Sequence, residues 1–377
     1  MQRKQSEPFL SKYLHTRGRA LGLPIAGNFE LTARCNFDCP MCYVHLKQED
    51  VDAQGRERTT GQWIDLAREA RDRGMIFVLL TGGEPFVRKD FFEIYGAMKK
   101  MGLLVSINSN GSMLSGEVLR KLVEDPPFRV NVSLYGGCPE TYRTMCGQDA
   151  FGRVVENIRC LKEGGIYVRI NLSITDYNRQ DVEKIWQISR ELDVHVKASS
   201  YMFPSIRVND GQFGLGDRLC AEDAAACAVQ WDRLRFSPEE FAARAQAMRA
   251  LTAVEPSECP TELEAGIRCR AGTTSFWMTW DGRMMPCGMM TWPVTRPLDV
   301  GFGEAWEQLR QKTAEIKSAP GCAGCPKKDI CSVCAAGRVA ETGSFEQVPD
   351  YICRYTDALI EKTWAAYLES EGKGHDH

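Results

Sequence analysis

The chain has 377 residues, a formal net charge of -3 and 44% hydrophobic residues, enough for one large α/β domain with a smaller appendage. That balance gives no sign of a nucleic-acid or membrane surface, and no apolar run is long enough to cross a bilayer. Residues 1–20 are polar and basic, without the apolar core or cleavage site of a secretory signal, so the expected location is the cytoplasm. The outlier is cysteine, with 16 in the chain. In a long chain in a reducing compartment, tightly and regularly spaced cysteines favour metal sites over disulfides.

From about residue 27 to 200, short apolar runs alternate with amphipathic stretches. Strands are expected over 28–33, 76–80, 103–107, 130–134, 167–174 and 194–198. Helices are expected over 61–73, 91–101, 116–123, 151–163 and 181–192. In the first helix Trp63, Ile64, Leu66, Ala67 and Ala70 recur at helical spacing, with Thr60 as the N-cap. Such alternation implies parallel strands with right-handed crossovers, an α/β domain of six units forming a full or partial barrel. Residues 203–217 read as a loop, and 237–253 as a helix with Pro238 at its first position. From 259 to 353 the chain is rich in Cys, Gly and Pro and poor in periodicity, as expected of a small domain held by metal clusters. Residues 355–370 read as a closing helix.

Cys35, Cys39 and Cys42 follow the first strand. Three thiolates within eight residues suit an Fe–S cluster or zinc. The next cysteine is Cys138, so a fourth ligand is missing nearby, and an open coordination position implies reaction at the metal. After the second strand comes Thr81-Gly82-Gly83-Glu84-Pro85. Its glycines would let backbone approach a ligand, and Glu84 could accept from an ammonium group. Later strands end in polar residues: Asn108, Ser109 and Asn110; Ser133; and Arg169, Asn171 and Ser173. Such strand ends carry the sites of barrel enzymes.

The CxxxCxxC loop resembles that of the radical S-adenosylmethionine (SAM) superfamily, with Met41 where an aromatic residue is commoner. The resemblance implies that Cys35, Cys39 and Cys42 hold a [4Fe–4S] cluster whose fourth iron is chelated by SAM. Reductive cleavage of SAM would then give a 5′-deoxyadenosyl radical that takes a hydrogen atom from the substrate. It further implies SAM contacts from Gly82, Gly83, Glu84 and Pro85, and from Asn108, Ser133 and Arg169. Tyr135-Gly136-Gly137 reads either as a backbone approach to the ligand or as a plain turn.

The downstream cysteines run Cys269, Cys287, Cys322-x2-Cys325-x5-Cys331-x2-Cys334 and Cys353. They resemble a SPASM domain, with two residues rather than the usual three between Cys331 and Cys334. The resemblance implies two auxiliary [4Fe–4S] clusters. Cys322, Cys325, Cys331 and Cys353 would hold one. Cys269, Cys287 and Cys334 would hold the other, with Cys259 as fourth ligand or an open iron; zinc ribbons are the alternative. The expected organisation is an N-terminal extension over 1–26, a radical SAM core over 27–215 and a helical connector over 216–258. A SPASM domain over 259–354 and a C-terminal helix and tail over 355–377 complete it.

Cys138, Cys146, Cys160, Cys220 and Cys227 fall outside this scheme. Cys160 reads as a buried small hydrophobe, and any exposed thiol as a candidate hydrogen donor. Trp277, Met278 and Trp280 read as packing residues and His45 as a loop histidine. Residues 201–217 suit a substrate lid.

The family resemblance implies a radical SAM oxidoreductase acting on a ribosomally made precursor peptide and forming a thioether cross-link. Carbon–carbon cross-linking, epimerisation, other oxidative change, or formylglycine formation in a sulfatase are alternatives. The implied partners are the precursor peptide, a reductant such as flavodoxin or ferredoxin, and a separate leader-recognition protein, since only about 26 residues precede the first strand.

Overall fold

The structure, a computed structural model, describes residues 9–44, 46, 48–204, 216–254, 266–331 and 333–372. Eight strands form one sheet: β1 (Ala26–Glu30), β2 (Phe77–Thr81), β3 (Leu104–Ser109), β4 (Arg129–Ser133), β5 (Val168–Ser173), β6 (His195–Ser199), β7 (Ser275–Met278) and β8 (Met284–Met285). Their order is β6-β5-β4-β3-β2-β1-β7-β8. Every pairing from β6 through β1 to β7 is parallel, and only β7 with β8 is antiparallel. The first six strands therefore lie side by side in chain order with helices between them, a partial (β/α)6 barrel of the expected class. β6 and β8 are its edges among the described residues.

Strand alternation gives the sheet two unlike faces. Along one row of the register, Met278, Phe29, Leu80, Ile107, Val130 and Val168 stand side by side, all buried under the surrounding helices. The opposite face carries Asn108, Asn131 and Arg169 in one row, and Ser133, Asn171 and Lys197 in the next. The polar face is the barrel interior, and its polarity marks it as a ligand-holding surface rather than a packed core.

All six expected strands and five expected helices form, with ends shifted by a few residues at most. Helix Thr60–Asp72 starts one residue early: Thr59, not Thr60, is the N-cap, in a reciprocal capping box with Gln62. Thr60 instead donates its hydroxyl to Asp90, 2.5 Å away. Pro238–Ala250 is capped by Ser237 with Glu240 completing the box. The closing helix begins earlier than expected, spans Asp350–Gly372 and takes in Cys353.

Among the helices that escaped the sequence reading are Phe9–Leu21, Pro139–Cys146 and Ala221–Arg235. Ala221–Arg235 buries Val229 and Trp231, and packs with Pro238–Ala250 on the closing helix as a bundle beside the barrel. The cysteine-rich stretch also holds more regular structure than its composition suggested. It supplies β7, β8 and helix Phe302–Ala314, whose Phe302 and Trp306 flank Phe276 of β7 at 5.1 and 6.0 Å between ring centres. Trp277, Met278 and Trp280 do pack: Trp277 donates to the buried Glu30 at 2.6 Å, and the other two are buried. Most of the loop expected over 203–217, with the proposed lid, lies outside the described residues, as do His45 and Cys259.

Candidate functional site

The loop after β1 and the loop after β2 are bonded together by their backbones. Leu31 N–H donates to Thr81, Gly83 N–H to Thr32 and Glu84 N–H to Arg34, at 2.8, 2.8 and 2.9 Å. A methyl group at Gly82 would sit 2.3 Å from the Thr32 carbonyl oxygen, and one at Gly83 2.2 Å from that of Arg34. Gly82 also has φ +138°, a conformation that L side chains rarely adopt. The glycine pair thus seats one loop on the other.

Glu84 is likewise committed within the protein. Fully buried, it accepts from the Ser109 hydroxyl at 3.1 and 3.0 Å, from Asn110 N–H at 2.7 Å and from Phe86 N–H at 3.2 Å. Burial pushes its carboxyl up to about 7, against the pull of those donors. The side chain ties the loops after β2 and β3 together. Pro85 opens a 3₁₀ turn, Pro85–Val87.

The three thiols of the first loop are partly buried neighbours. Cys35 accepts from Phe37 N–H at 3.4 Å, and Asn110 Nδ2 lies 3.7 Å from its sulfur. Burial pushes Cys35 up to about 12, with Glu84, Cys42 and Cys39 adding to the rise. Cys39 is raised further, first by hydrogen-bond contact with Cys146 and then by burial. A coordinating metal ionises such thiols outright. Among the described residues no three His, Cys, Asp or Glu side chains converge on a single-ion site. Three soft donors spread along one loop fit three corners of a [4Fe–4S] cluster.

Asn108 accepts from Asn131 Nδ2 at 2.8 Å and donates to Thr81 Oγ1 at 3.4 Å. Ser133 lies against Tyr135, whose surroundings include Cys39, Cys146 and Cys42. Arg169 is lowered to about 10, by burial and then by Arg129. Asn110, Cys146 and Tyr135 are thus neighbours of the cysteine loop. In the sequence Asn110 stood out only as a strand-end residue, Tyr135 as part of a ligand approach or plain turn, and Cys146 only as a thiol outside the cluster scheme. Cys160 is not a buried hydrophobe; it is part-exposed and donates to Glu156 at 3.6 Å.

In the C-terminal part, Cys269, Cys322, Cys325, Cys331, Cys334 and Cys353 line one cavity of about 310 Å³, with Arg268, Lys328 and Arg338. The thiols fall into two neighbourhoods. Cys353, raised to about 11 mainly by burial, is also affected by Cys331, Cys322 and Cys325. Cys334 is raised by burial, with Cys269 close by, and Cys334 and Cys287 pack against the same apolar cluster around Ile267, Ala271 and Met290. Backbone N–H groups point at three of the sulfurs: Ala271 at Cys269, Met289 at Cys287 and Gly337 at Cys334, at 3.5, 3.5 and 3.4 Å. Thiols, cationic neighbours and N–H···S contacts make a donor set suited to anionic clusters.

Comparison with known proteins bears on this site. Residues 29–190 match the model of the Radical SAM superfamily. The chain is 26% identical to an AdoMet-dependent heme synthase of Methanosarcina barkeri over 347 residues, covering 87% of this chain and 95% of that protein. It is 34% identical to a probable GTP 3′,8-cyclase of Saccharolobus islandicus over 167 residues, covering 44% of this chain and 53% of that one. Among solved structures, Streptococcus suis SuiB bound to precursor peptide SuiA is similar, with a TM-score of 0.65 and 16% identity, covering 91% of this chain and 80% of that one. Native anSMEcpe with bound AdoMet gives a TM-score of 0.67 and 17% identity, covering 93% of this chain and 100% of that one. Residues 29–190 form a radical SAM domain, and a cysteine-rich C-terminal extension follows it.

Proposed function

We propose that this radical SAM enzyme modifies a peptide, joining a cysteine sulfur to a backbone or side-chain carbon as a thioether. The observation that carries the reading is the cysteine-rich cavity attached to the barrel sheet through β7, its thiols grouped as two cluster sites would require. The fold of SuiB, whose structure holds a precursor peptide, supports it.

In this reading Cys35, Cys39 and Cys42 hold the [4Fe–4S] cluster that SAM completes. Asn108, Ser133, Arg169 and the backbone of Gly82–Pro85 hold SAM. Cys322, Cys325, Cys331 and Cys353 take one auxiliary [4Fe–4S] cluster, and Cys269, Cys287 and Cys334 take three corners of another. When bound, cluster and SAM supply hydrogen-atom abstraction from an unactivated carbon. The protein's part is to keep the loops after β1, β2 and β3 in one rigid unit, through Glu84 and the glycine pair, so that the abstracting group meets one carbon only. Forming C–S from C–H and S–H removes two hydrogens from the peptide: one would leave as the abstracted hydrogen atom, and the thiol hydrogen would leave as a proton to solvent and an electron to an auxiliary cluster.

The test is the mass of a candidate peptide co-expressed with the enzyme. Loss of two hydrogens is expected, with Cys334→Ala keeping SAM cleavage but losing the modification. An unchanged mass with deuterium incorporated from solvent would replace cross-linking by epimerisation. Full modification by Cys334→Ala would remove the need for the auxiliary cluster of Cys269, Cys287 and Cys334. A second reading, an AdoMet-dependent step of haem synthesis, is favoured by the alignment to the Methanosarcina barkeri protein across 95% of its length. Turnover of a haem precursor with no change in any peptide would establish that reading instead.

A further inference from the structure

The barrel interior carries positive charge that no described residue balances. Arg129 on β4, Arg169 on β5 and Lys197 on β6 share the polar face of three adjacent strands, alternating with the buried Val130, Ile170 and Val196. Desolvation lowers all three, Arg129 and Arg169 being half-buried and Lys197 exposed. Arg129 lowers both of the others, and Arg169 lowers Lys197. No carboxylate among the described residues pairs with any of them. Arg129 Nε and Arg169 Nε are buried without a hydrogen-bond partner.

Elsewhere the chain pairs its buried cations. Arg88 bonds Asp90 and two carbonyls, Arg218 bonds Glu341, and Arg338 bonds three carbonyls. Unpaired like charges on neighbouring strands are destabilising, and proteins keep such groups where a ligand completes them.

The same face also has two unused acceptors. Asn131 is 2% exposed, and its Oδ1, like that of Asn171, is buried without a donor. The orientation of Asn131 is fixed, because its Nδ2 donates to Asn108, which in turn donates to Thr81. A fitting ligand therefore brings a negative charge and an N–H group together.

We infer that Arg129 and Lys197, with the amide oxygens of Asn131 and Asn171, form a recognition site for an acidic peptide segment. They would take a side-chain or C-terminal carboxylate and an adjacent backbone N–H. This deepens the peptide reading above and rests on it. SAM's amino-acid end has the same chemistry, and Asn108, Ser133 and Arg169, given to SAM above, border this site in the same rows of the sheet; SAM affinity is therefore measured beside probe binding to tell the two ligands apart.

The test uses the cluster-loaded, SAM-saturated enzyme at low ionic strength, with N-acetylglutamate as probe and N-acetylglutamine as its uncharged control. N-acetylglutamate alone is expected to bind and to raise the unfolding temperature. Lys197→Gln and Arg129→Gln should each weaken it by about ten-fold or more, leaving SAM affinity within about two-fold. Without probe, both variants should unfold at or above the wild-type temperature, since each removes an uncompensated charge. Equal binding of the two probes, wild-type affinity in both variants, or a parallel loss of SAM affinity overturns the site. Because the readout is binding, such a failure leaves the peptide mass test standing, and failure of the mass test leaves this result interpretable.

Discussion

Glu84 shows how far single residues could be read. Its place in a Gly-Gly-Glu-Pro segment after β2 was legible, and so was its link to the cysteine loop. Its partners were not, because Ser109 and Asn110 lie on another strand end 25 and 26 residues away. Glu84→Ala leaves three donors without their acceptor and should destabilise the protein by about 2–4 kcal/mol, with poorer iron loading, as measured by denaturant unfolding and iron assay. Its carboxyl stands near 7 when folded and at 4.5 as an isolated group. Its contribution to stability is therefore complete below about 4.5 and is lost as pH rises through about 7. Unfolding midpoints should fall across that window in the wild type and fall less in Glu84→Ala; parallel curves would contradict the assignment. Gly83→Ala places a methyl group against the Arg34 carbonyl and should lose cluster retention even where the chain still folds.

At the scale of elements, the period-two and period-3.6 patterns located six strands and five helices because each buries one face against the same core. They missed Phe9–Leu21, which buries only His15 and Gly18 and leaves Phe9 and Leu10 exposed. They missed Ala221–Arg235, whose alanines pack on the closing helix without a strong apolar stripe. β7 escaped because four residues in a cysteine-rich stretch show no period; its identity as a strand comes from its parallel pairing with β1, where Gly27 stands opposite Phe276 and Asn28 opposite Trp277. Phe276→Ala should cost about 3–5 kcal/mol, since the ring is fully buried among Phe29, Phe302 and Trp306. Thermal unfolding would check this, and a change within about 0.5 kcal/mol would mean that β7 is not anchored where the register places it.

The whole molecule joins a partial barrel with a polar interior to a cysteine-lined extension through one continuous sheet. The cysteine spacings, read in sequence, already separated the first loop from the later thiols. What they could not show was the interior itself. The row of Asn108, Asn131 and Arg169 exists only once β3, β4 and β5 are in register. Nor could spacing fix the fourth ligand beside Cys269, Cys287 and Cys334. With all sites loaded, iron and sulfide analysis should approach three [4Fe–4S] equivalents, about twelve irons per chain. It should fall by about one equivalent in a Cys322→Ala/Cys325→Ala variant; an undiminished content would mean that those thiols hold no cluster.

The most direct measurement is 5′-deoxyadenosine formed from SAM under a strong reductant by the anaerobically reconstituted enzyme, with and without candidate peptide, beside a variant with Cys35, Cys39 and Cys42 all changed to alanine. The account predicts product from the wild type and none from the variant. Equal product from both, or none from a fully iron-loaded wild type even with peptide present, would contradict it.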